Sequence, residues 1–263
     1  MKKNLNFLTL ALLLLCAGSA SGQAALDFNP DTLTDVFAYP KCNRYGVILR
    51  HKAYSMLYFQ KYQLIYWASY ALTKDMLSGP YNNVYDITPD PMTKDFPTFR
   101  DYKGSGYMQG FLAPPDFMRW DSTARREGFY ASNTAPQKRG FNKGLWKRME
   151  EQERAWAQDG ARLWVVTGPV VIDSTKTIGS NKVRIPAYFF KVILILKDDK
   201  LYETAYLLPT LNPSNYRKPL EDFTASVDMV ESMTGYDFFP LLADSVERQL
   251  EMNSILPPSS TPR

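Results

Sequence analysis

Runs of apolar residues divide the chain into segments with the lengths of strands. Three runs near the start, at 46–50, 54–59 and 64–72, are rich in aromatic and branched aliphatic residues and predict three successive strands. A second group with the same character predicts three later strands, at Arg162–Thr167, Ala187–Leu196 and Glu203–Leu208. Closely spaced prolines between the two groups predict a long irregular segment, at Pro80, Pro89, Pro91 and Pro97.

The clearest helical pattern runs from Asn142 to Gln158. Asn142 is a favourable residue for a helix start, and the Asp159–Gly160 pair is a typical helix end. Apolar side chains recur along this segment at helical spacing and form one stripe, at Leu145, Met149 and Trp156. Strands and helices are segregated along the chain instead of alternating, so the pattern predicts an α+β fold in a single domain.

The first residues have the order of features found in a secretory signal peptide. Lys2 and Lys3 precede an apolar run at 7–17, and small residues follow at 18–20. The run is too short to cross a membrane, so we expect a cleaved signal, export to the periplasm or the extracellular space, and no transmembrane span in the mature chain. The predicted organisation is a signal peptide at 1–22, a lead-in at 23–44, one domain at 45–251 and a flexible proline-rich tail at 252–263.

The chain has two cysteines, Cys16 and Cys42. Cys16 could carry a lipid anchor, but this interpretation is disfavoured because Leu15 is larger than the residue normally found before a lipidated cysteine. Removal of the signal leaves a single cysteine, so the mature chain cannot form an internal disulfide. We interpret Cys42 as a buried, inert thiol.

Composition and charge indicate a folded chain with one basic region. Hydrophobic residues make up 45% of the sequence and aromatic residues 14%, which is enough to fill a sizeable core. The window 119–148 contains eight basic and two acidic residues, whereas the whole chain has a net charge of only +4. Such a local positive field fits binding of phosphate groups, and it fits a solvated basic face with no partner equally well.

The residues of greatest chemical interest lie between Asp101 and Glu150. Three segments stand out: 108–114 (Met-Gln-Gly-Phe-Leu-Ala-Pro), 129–133 (Phe-Tyr-Ala-Ser-Asn) and 141–150 (Phe-Asn-Lys-Gly-Leu-Trp-Lys-Arg-Met-Glu). In this order they resemble the core of the DNA/RNA non-specific endonucleases, a family of ββα-metal nucleases. Later segments continue the resemblance, which therefore covers about residues 45–245.

The resemblance implies both a fold and a reaction. The fold is a central antiparallel sheet flanked by helices, in which a β-hairpin followed by a helix forms the active site. The reaction is hydrolysis of phosphodiester bonds in DNA and RNA with one Mg²⁺ ion, for which Mn²⁺ can substitute, held by an asparagine and several waters. A histidine accepts a proton from the attacking water, a glutamate orients the metal-bound waters, and arginines stabilise the charged transition state.

The metal-binding half of the family's motif is retained. Asn142 matches the metal-binding asparagine, Glu150 matches the glutamate, and Arg154 matches an arginine on the same helix. Asn133 and Gln137 match the family's Ser-Asn and Pro-Gln elements. Without this context, Asn142 and Glu150 would fit a helix cap and a surface carboxylate.

The half of the motif that activates water is not retained. Phe111 stands in the place of the histidine, Gln109 in that of the arginine, and Met108 in that of the aspartate that opens the motif. Loss of a general base costs about 10²–10⁴ in rate, so the sequence predicts weak or lost catalysis.

Four residues are candidates to replace the missing base. His51 is the single histidine of the chain, but it lies in the first strand region between two basic residues, where we interpret it as a strand-edge residue. Asp116, Lys103 and Tyr107 flank the altered motif, and their spacing favours none of them. Zinc sites and phosphate-binding loops of the P-loop type have no matching pattern in the sequence.

Three functional hypotheses follow. The first is an exported member of this family that still binds nucleic acid or another phosphorylated polymer through its basic region and the Asn142 face, with catalysis weak or lost. The residues expected to contact that polymer are Arg125, Arg126, Gln137, Lys138, Arg139 and Lys147. The second is an active metal-dependent nuclease with a relocated base. The third is an interaction module whose altered cleft, lined by Phe111 and Met108, contacts a protein partner.

Overall fold

A computed structural model describes residues 38–243, 245–246 and 250. Within those residues the chain forms five α-helical segments: α1 (Phe99–Tyr102), α2 (Ser122–Glu127), α3 (Arg139–Phe141), α4 (Lys147–Gln158) and α5 (Val227–Thr234). The strands of the same part of the chain are β1 (Lys41–Cys42), β2 (Val47–Arg50), β3 (Tyr54–Phe59), β4 (Leu64–Leu72), β5 (Met108–Phe111), β6 (Thr134–Gln137), β7 (Arg162–Val170), β8 (Thr177–Ile178), β9 (Val183–Arg184), β10 (Tyr188–Lys197), β11 (Lys200–Pro209), β12 (Thr224–Ala225) and β13 (Tyr236–Asp237).

Seven strands form a central antiparallel sheet in the order β12-β11-β10-β7-β4-β3-β2. Three two-stranded pairs stand beside it: β1 with β13, β5 with β6, and β8 with β9. The prediction of an α+β, single-domain fold with a central antiparallel sheet and flanking helices is therefore confirmed.

The central sheet separates two hydrophobic cores. On one face, residues of β3, β4 and β10 pack with the helical segment 139–158, and Phe141, Trp146 and Phe189 are among the fully buried rings. On the other face, Trp67 and Phe190 pack with residues near the C-terminal end of the described region, including Phe238. Both faces of the central strands are thus buried, which explains why these strands appear in the sequence as nearly continuous apolar runs.

The strand predictions agree with the structure most closely where the sequence supplies clear breaks. The predicted runs at 54–59 and 64–72 coincide with β3 and β4. Three strands extend beyond their predictions: β7 continues to Val170, β10 to Lys197, and β11 begins at Lys200. Their extra residues pair with neighbouring strands although their side chains are more polar or include proline.

The predicted start of the long helix is wrong. Helical structure begins at Arg139, three residues before Asn142, with Lys138 as the preceding cap residue. Asn142 then opens a π-helical turn, Asn142–Trp146, which leads into α4. The predicted end is confirmed, because Asp159 caps α4 and Gly160 has a positive φ of 90°. Asparagine suits a helix start, but here tertiary contacts of its side chain fix it inside the helical segment.

Two further boundaries differ from expectation. The residues Gly104–Gly106 are typical of a hairpin turn leading into the strand at 108–111; the turn does lead into β5, but it connects that strand to α1 and not to another strand. Lys41 and Cys42 form β1 and pair with Asp237 and Tyr236, so folded structure begins before the predicted boundary at residue 45. Cys42 is half-buried and free.

The predicted signal peptide, including Cys16, and the proline-rich tail lie outside the described residues. Within residues 38–243, no helix combines the length and apolar character needed to span a membrane.

Candidate functional site

The candidate site is built on the two-stranded β5–β6 pair and the helical segment that follows β6. Met108 pairs with Gln137 at one end of the β5–β6 ladder, and Phe111 pairs with Thr134 at the other. Gly110 must be a glycine here, because a Cβ at this position would lie 2.2 Å from the Gln137 side chain. The close approach lets the Gln137 side chain lie across the strand that carries the altered motif.

Phe111 occupies the strand position at which the family resemblance leads us to expect the general-base histidine. Its half-buried ring packs edge-on against the buried ring of Phe129, with centroids 5.4 Å apart. Phe129 in turn contacts Tyr85 edge-on at 5.6 Å and lies under the guanidinium of Arg125 at 5.0 Å. The place of the base is therefore part of an aromatic cluster, and a benzyl ring cannot accept a proton.

The other two altered positions are also half-buried. Met108 lies opposite Gln137 at the end of the strand pair. The amide nitrogen of Gln109 is buried and has no hydrogen-bond partner in the described part of the chain. A glutamine in this position supplies neither the charge nor the planar donor set of an arginine.

Asn142 is oriented by a neighbour from β6. Its amide nitrogen donates a hydrogen bond to Oε1 of Gln137 at 2.7 Å, and Gln137 is fully buried. This bond fixes the amide so that the other end of the group, Oδ1, is available as an oxygen ligand. The π-helical turn that carries Asn142 approaches the segment 213–217 closely, because a Cβ on Gly144 would lie 2.9 Å from the carbonyl oxygen of Tyr216. Turns of this kind frequently mark functional sites.

Glu150 lies two turns along the helix from Asn142, and the environment of its carboxyl is unusual. Part of the residue reaches the surface, but the carboxyl itself is enclosed by protein. Burial raises the pKa of Glu150 to about 8; the positive charge of Lys191 opposes this rise, whereas Glu153 and Asp116 add to it. In the metal-free protein this carboxyl is therefore mostly protonated at neutral pH, and a nearby cation would favour its ionised form.

A buried ionic cluster lies beneath the site, and sequence reasoning missed it. Lys191 donates to Glu153 at 2.6 Å and to the Tyr70 hydroxyl at 2.9 Å, while Tyr70 donates to Glu153 at 2.6 Å. Both charged side chains are fully buried, and the Lys191 ammonium lies 4.6 Å from the centre of the Trp146 ring. The one available signal was Lys191 itself, a charged residue in the middle of the apolar strand β10.

Three predicted site residues have structural contacts. The Asn133 side chain is fully buried and bonds to both the nitrogen and the oxygen of Ala113 and to the Gly128 carbonyl, so it holds two loops together. Arg154 lies with its guanidinium 5.2 Å from the centre of the Phe117 ring and remains half-buried on the same helix as Glu150.

Arg125, the third of these residues, does not lie at the surface as expected for a residue that contacts nucleic acid. Its side chain is only 3% exposed, and it donates to Asp116 at 2.9 Å and to the Asn83 carbonyl at 2.9 Å. The buried Gln137 is equally withdrawn from the surface. Neither side chain is available to a phosphate in this structure, because each is already committed to neighbours inside the protein.

The remaining basic residues do form a surface. The side chains of Arg126, Arg139 and Lys147 are exposed, and Lys147 pairs with Glu151 at 3.2 Å on the helix. Lys138 lies 3.8 Å from the centre of the Tyr107 ring. Lys143, adjacent to Asn142, is exposed as well. We call Arg126, Lys138, Arg139, Lys143 and Lys147 the basic surface.

His51 is not placed to act as the base. Its side chain is only 2% exposed, and Nε2 lies 3.0 Å from Oδ2 of Asp90, which also accepts a hydrogen bond from Ser132. Burial alone would raise the pKa of Asp90, but the hydrogen bonds from His51, Ser132 and the Met92 backbone lower it below its usual value. His51 directly follows β2, an edge strand of the central sheet, and its side chain is part of a buried hydrogen-bonded group.

The site offers few oxygen ligands, but they are of the kind that a hard divalent cation prefers. Asn142 offers one amide oxygen and Glu150 one carboxylate, and no group of three or more histidine, cysteine or acidic residues gathers anywhere within the described residues. Mg²⁺ keeps several waters and needs few protein ligands, so a single oriented oxygen is compatible with it.

Comparisons with known proteins agree with this geometry. Residues 35–245 match the DNA/RNA non-specific endonuclease family. The mitochondrial nuclease EXOG of Mus musculus is 30% identical over 209 residues, covering 73% of this chain and 57% of the mouse protein. Nuclease C1 of Cunninghamella echinulata var. echinulata is 29% identical over 210 residues, covering 74% of this chain and 83% of that protein.

A solved structure extends the likeness to three dimensions. The crystal structure of an EndoG/EndoGI complex, described as showing the mechanism of EndoG inhibition, contains a chain that superposes with a TM-score of 0.71 at 26% identity, covering 80% of this chain and 91% of the other. The present chain matches 57% and 58% of the lengths of the mouse and Danio rerio EXOG proteins. The chain belongs to the DNA/RNA non-specific endonuclease family.

Proposed function

We propose that this protein is a family member that binds nucleic acid through its basic surface, with phosphodiester hydrolysis weak or lost. The proposal is supported chiefly by Phe111, which stands where the family resemblance leads us to expect the proton acceptor and whose ring packs against Phe129. The single histidine of the chain is buried and bonded to Asp90, so it supplies no substitute.

The chemistry explains why this replacement matters. In-line attack by water on a phosphodiester needs a group that accepts the water's proton, together with positive charge near the phosphoryl oxygens. A divalent cation, Mg²⁺ or Mn²⁺, would supply that positive charge when bound, and Asn142 with Glu150 would hold it and its waters. Asn142 is oriented for this by Gln137, and Lys191 lies close enough to oppose the rise in the Glu150 pKa. The proton acceptor is the component that this arrangement lacks.

Binding can persist without hydrolysis, because the two depend on different residues. The exposed members of the basic surface lie on α2 and on the helical segment 139–158, which also carries Asn142. Phosphate backbones are bound mainly through such charges, and this binding weakens as salt rises. We infer that DNA and RNA are both ligands, since contacts to phosphates read neither sequence nor sugar.

Binding is tested by fluorescence anisotropy with a labelled DNA duplex in EDTA, so that no divalent cation is present. We expect affinity to fall steeply with added salt, and the Arg139→Ala, Lys143→Ala variant to bind at least about fivefold more weakly. Lys200→Ala removes an exposed charge on the β10–β11 hairpin and serves as the matched control, with little expected effect. Salt-independent binding, or equal losses in both variants, would refute a role for the basic surface.

One observation favours a second candidate, an active nuclease with a relocated base. Asp116 is 69% exposed, is held by the buried Arg125, and lies near enough to Glu150 to raise the pKa of that residue. A carboxylate so placed could accept a proton from water at the site. This candidate predicts metal-dependent cleavage by the native protein that disappears in both Asn142→Ala and Asp116→Asn.

We also propose that the protein is exported, on the strength of the charged, apolar and small-residue order at 1–22. The test is to express the full chain in bacteria and determine the N-terminal residue of the protein recovered outside the cytoplasm. Recovery of the uncut chain from the cytoplasm alone would contradict export.

A further inference from the structure

A second surface, built from elements outside the β5–β6 pair and its helix, carries a row of aromatic rings and cations. We call this row the aromatic ladder; its members are Arg184, Lys61, Tyr62, Phe59, Tyr66 and Arg44. The Arg184 guanidinium lies 4.1 Å from the centre of the Tyr62 ring, and Tyr62 meets Phe59 edge-on at 5.1 Å. Phe59 stacks on Tyr66 at 5.8 Å with an angle of 16° between the rings.

A β-bulge places the central ring of the ladder. Leu57 pairs with Trp67 and Tyr58 pairs with Ile65, so Tyr66 is an extra residue in β4. A bulge bends its strand and redirects a side chain, and bulges are common beside functional sites.

Residues of β13 and β7 hold the backbone of this bulge in place. Tyr236 donates its hydroxyl to the Tyr66 carbonyl at 3.2 Å. Gly168 of β7 lies so near that a Cβ there would be 2.4 Å from this carbonyl oxygen. The direction of the Tyr66 ring is thus fixed by neighbouring strands, and it faces Phe59 on one side and Arg44 at 5.2 Å on another.

The charges of the ladder are uncompensated. Arg44 and Lys61 are exposed and Arg184 is half-buried. In the described part of the chain, none of the three has a carboxylate within salt-bridge distance. Arg44 donates one hydrogen bond, to the Thr234 carbonyl, which orients the group without neutralising it. Three positive charges beside aromatic rings are complementary to an anionic ligand that carries flat groups of its own.

The ladder is connected to the basic surface by packed residues. Arg184 lies in β9 between Val183 and Ile185, and both of these pack with Tyr107 and Tyr102 in one small cluster. Lys138 of the basic surface lies directly over Tyr107, at 3.8 Å from the centre of its ring. The β8–β9 pair, which carries Arg184 of the ladder, thus packs against Tyr107, the residue that Lys138 contacts.

We propose that the aromatic ladder binds single-stranded nucleic acid. Unpaired bases stack on aromatic rings and guanidinium planes, while the cations contact the phosphates between them. A duplex keeps its bases paired and stacked inside, so it offers the ladder only phosphates. The proposal rests on the proposed nucleic-acid binding for the class of polymer, and it adds the preferred form, unpaired strand, and a second surface that receives it.

The test compares two ligands in EDTA by fluorescence anisotropy: labelled oligothymidylate of about 30 nucleotides, which is several times the site size of one stacking domain, and a duplex of the same length. The ladder variant is Tyr62→Ala, Arg184→Ala, and the conservative variants are Tyr62→Phe and Arg184→Lys. The matched control is Lys200→Ala, and the basic-surface variant is Arg139→Ala, Lys143→Ala. Thermal unfolding is recorded for each protein.

We expect the ladder variant to bind the single strand about tenfold more weakly, with a loss for the duplex at least threefold smaller, because stacking on each base carries much of the affinity. Tyr62→Phe should bind as the native protein does, whereas Arg184→Lys should lose several-fold affinity because it keeps the charge and removes the planar group. If the double variant unfolds, the single-strand affinity of Arg184→Lys alone decides between the two outcomes.

Three outcomes would overturn the proposal. The first is an unchanged single-strand affinity in the ladder variant and in Arg184→Lys, while the basic-surface variant weakens both ligands; the proposed function would then stand without the ladder. The second is an equal loss for both ligands. The third comes from co-sedimentation of the same proteins with phosphatidylglycerol vesicles: ladder-dependent binding to the vesicles with none to oligothymidylate would assign the surface to membranes. Failure of the native protein to bind either nucleic acid would remove both proposals.

Discussion

The ring of Phe111 belongs to a connected set of packed side chains. It packs against Phe129, which also contacts Tyr85 and the buried Arg125, whose partner is Asp116. The strand position at which the resemblance leads us to expect a base is thus part of an aromatic cluster. A histidine restored at this position must share its space with the Phe129 ring, so its recovery of activity depends on that neighbour.

Gly110 offers a direct test of the local packing. A Gly110→Ala substitution puts a methyl group 2.2 Å from the Gln137 side chain, so we expect a loss of about 1–3 kcal/mol in the free energy of unfolding, typical of overpacking. The measurement is urea denaturation of a double-mutant cycle with Gln137→Ala. Because Gln137→Ala removes the obstructing atoms, the double variant should be more stable than the sum of the single losses predicts. Strict additivity would contradict the close contact.

Glu150 gives a prediction for pH dependence. Its pKa rises from 4.5 to about 8 on folding, so folding takes up a proton between these values. The stability that this provides is complete below pH 4.5 and is lost as pH rises through about 8.

Glu150→Gln keeps a neutral side chain of the same shape and removes this dependence. We expect the variant to gain thermal stability over the native protein as pH is raised from 4.5 to about 8, with little difference below pH 4.5. The measurement is the melting temperature across pH, with Glu151→Gln, an exposed neighbour paired with Lys147, as control. Parallel curves for native protein and Glu150→Gln would show that the carboxyl is not held in its neutral form.

At the residue scale, the sequence is most informative about position where a motif fixes the residue type. The Phe-Asn-x-Gly-x-Trp-x-x-Met-Glu pattern puts Asn142 and Glu150 on one helix, and both lie on the helical segment 139–158; their roles at a metal site stay predictions. The sequence is not informative for Arg125, because nothing in a basic window distinguishes a buried arginine from an exposed one. Glu153 and Lys191 are 38 residues apart, so their pairing follows only from the packing of α4 on the sheet.

At the scale of elements, β10 carries two lysines with contrasting roles. Lys191 is fully buried with Glu153, whereas Lys197 lies near the strand end and pairs with the more exposed Asp159. Removal of one partner of a buried pair leaves an uncompensated charge and costs far more than loss of a surface pair.

Matched substitutions in β10 test this contrast. Lys191→Met should lower the free energy of unfolding by about 3–5 kcal/mol, because Glu153 is left buried without its cation. Lys197→Met should cost no more than about 1 kcal/mol. Both are measured by chemical denaturation, and Lys191→Met, Glu153→Leu should recover part of the loss. Similar small losses for both lysines would mean that the buried cluster contributes little.

The elements themselves differ in how far their sequences specify them. β3 and β4 could be predicted to the residue, because the polar Gln60–Gln63 segment separates two apolar runs. The bulge at Tyr66 could not, since an extra residue in a strand depends on its partner's register. The helix start at Arg139 was missed because Asn142 is itself a favourable start residue, and its bond to Gln137 overrides that preference.

At the scale of the whole molecule, the N-terminal end of the described region closes one core. Ala38 is buried, and the Tyr39 ring lies 5.2 Å from Trp67. Lys41 and Cys42 then pair with β13, which joins the two ends of the fold. The sequence offered no sign of this, because the segment is short and its partner lies nearly 200 residues away.

Truncation tests the contribution of this segment. A protein that begins at residue 45 should melt at least about 2 °C lower than one that begins at residue 38, because it loses β1 and the contact with Trp67. Differential scanning calorimetry provides the comparison. Equal melting temperatures would place the structural boundary where the sequence suggested it, at residue 45.

The central claim is that the site lacks a proton acceptor while its metal-binding half remains. The most direct measurement is the rate at which supercoiled plasmid is nicked with Mg²⁺ or Mn²⁺ by the native protein, by Met108→Asp, Gln109→Arg, Phe111→His, and by that triple variant with Asn142→Ala added. We predict no cleavage above background by the native protein, a rate at least about 10²-fold higher in the triple variant, and its loss when Asn142 is removed. Robust cleavage by the native protein, as fast as that by the triple variant, would contradict the claim.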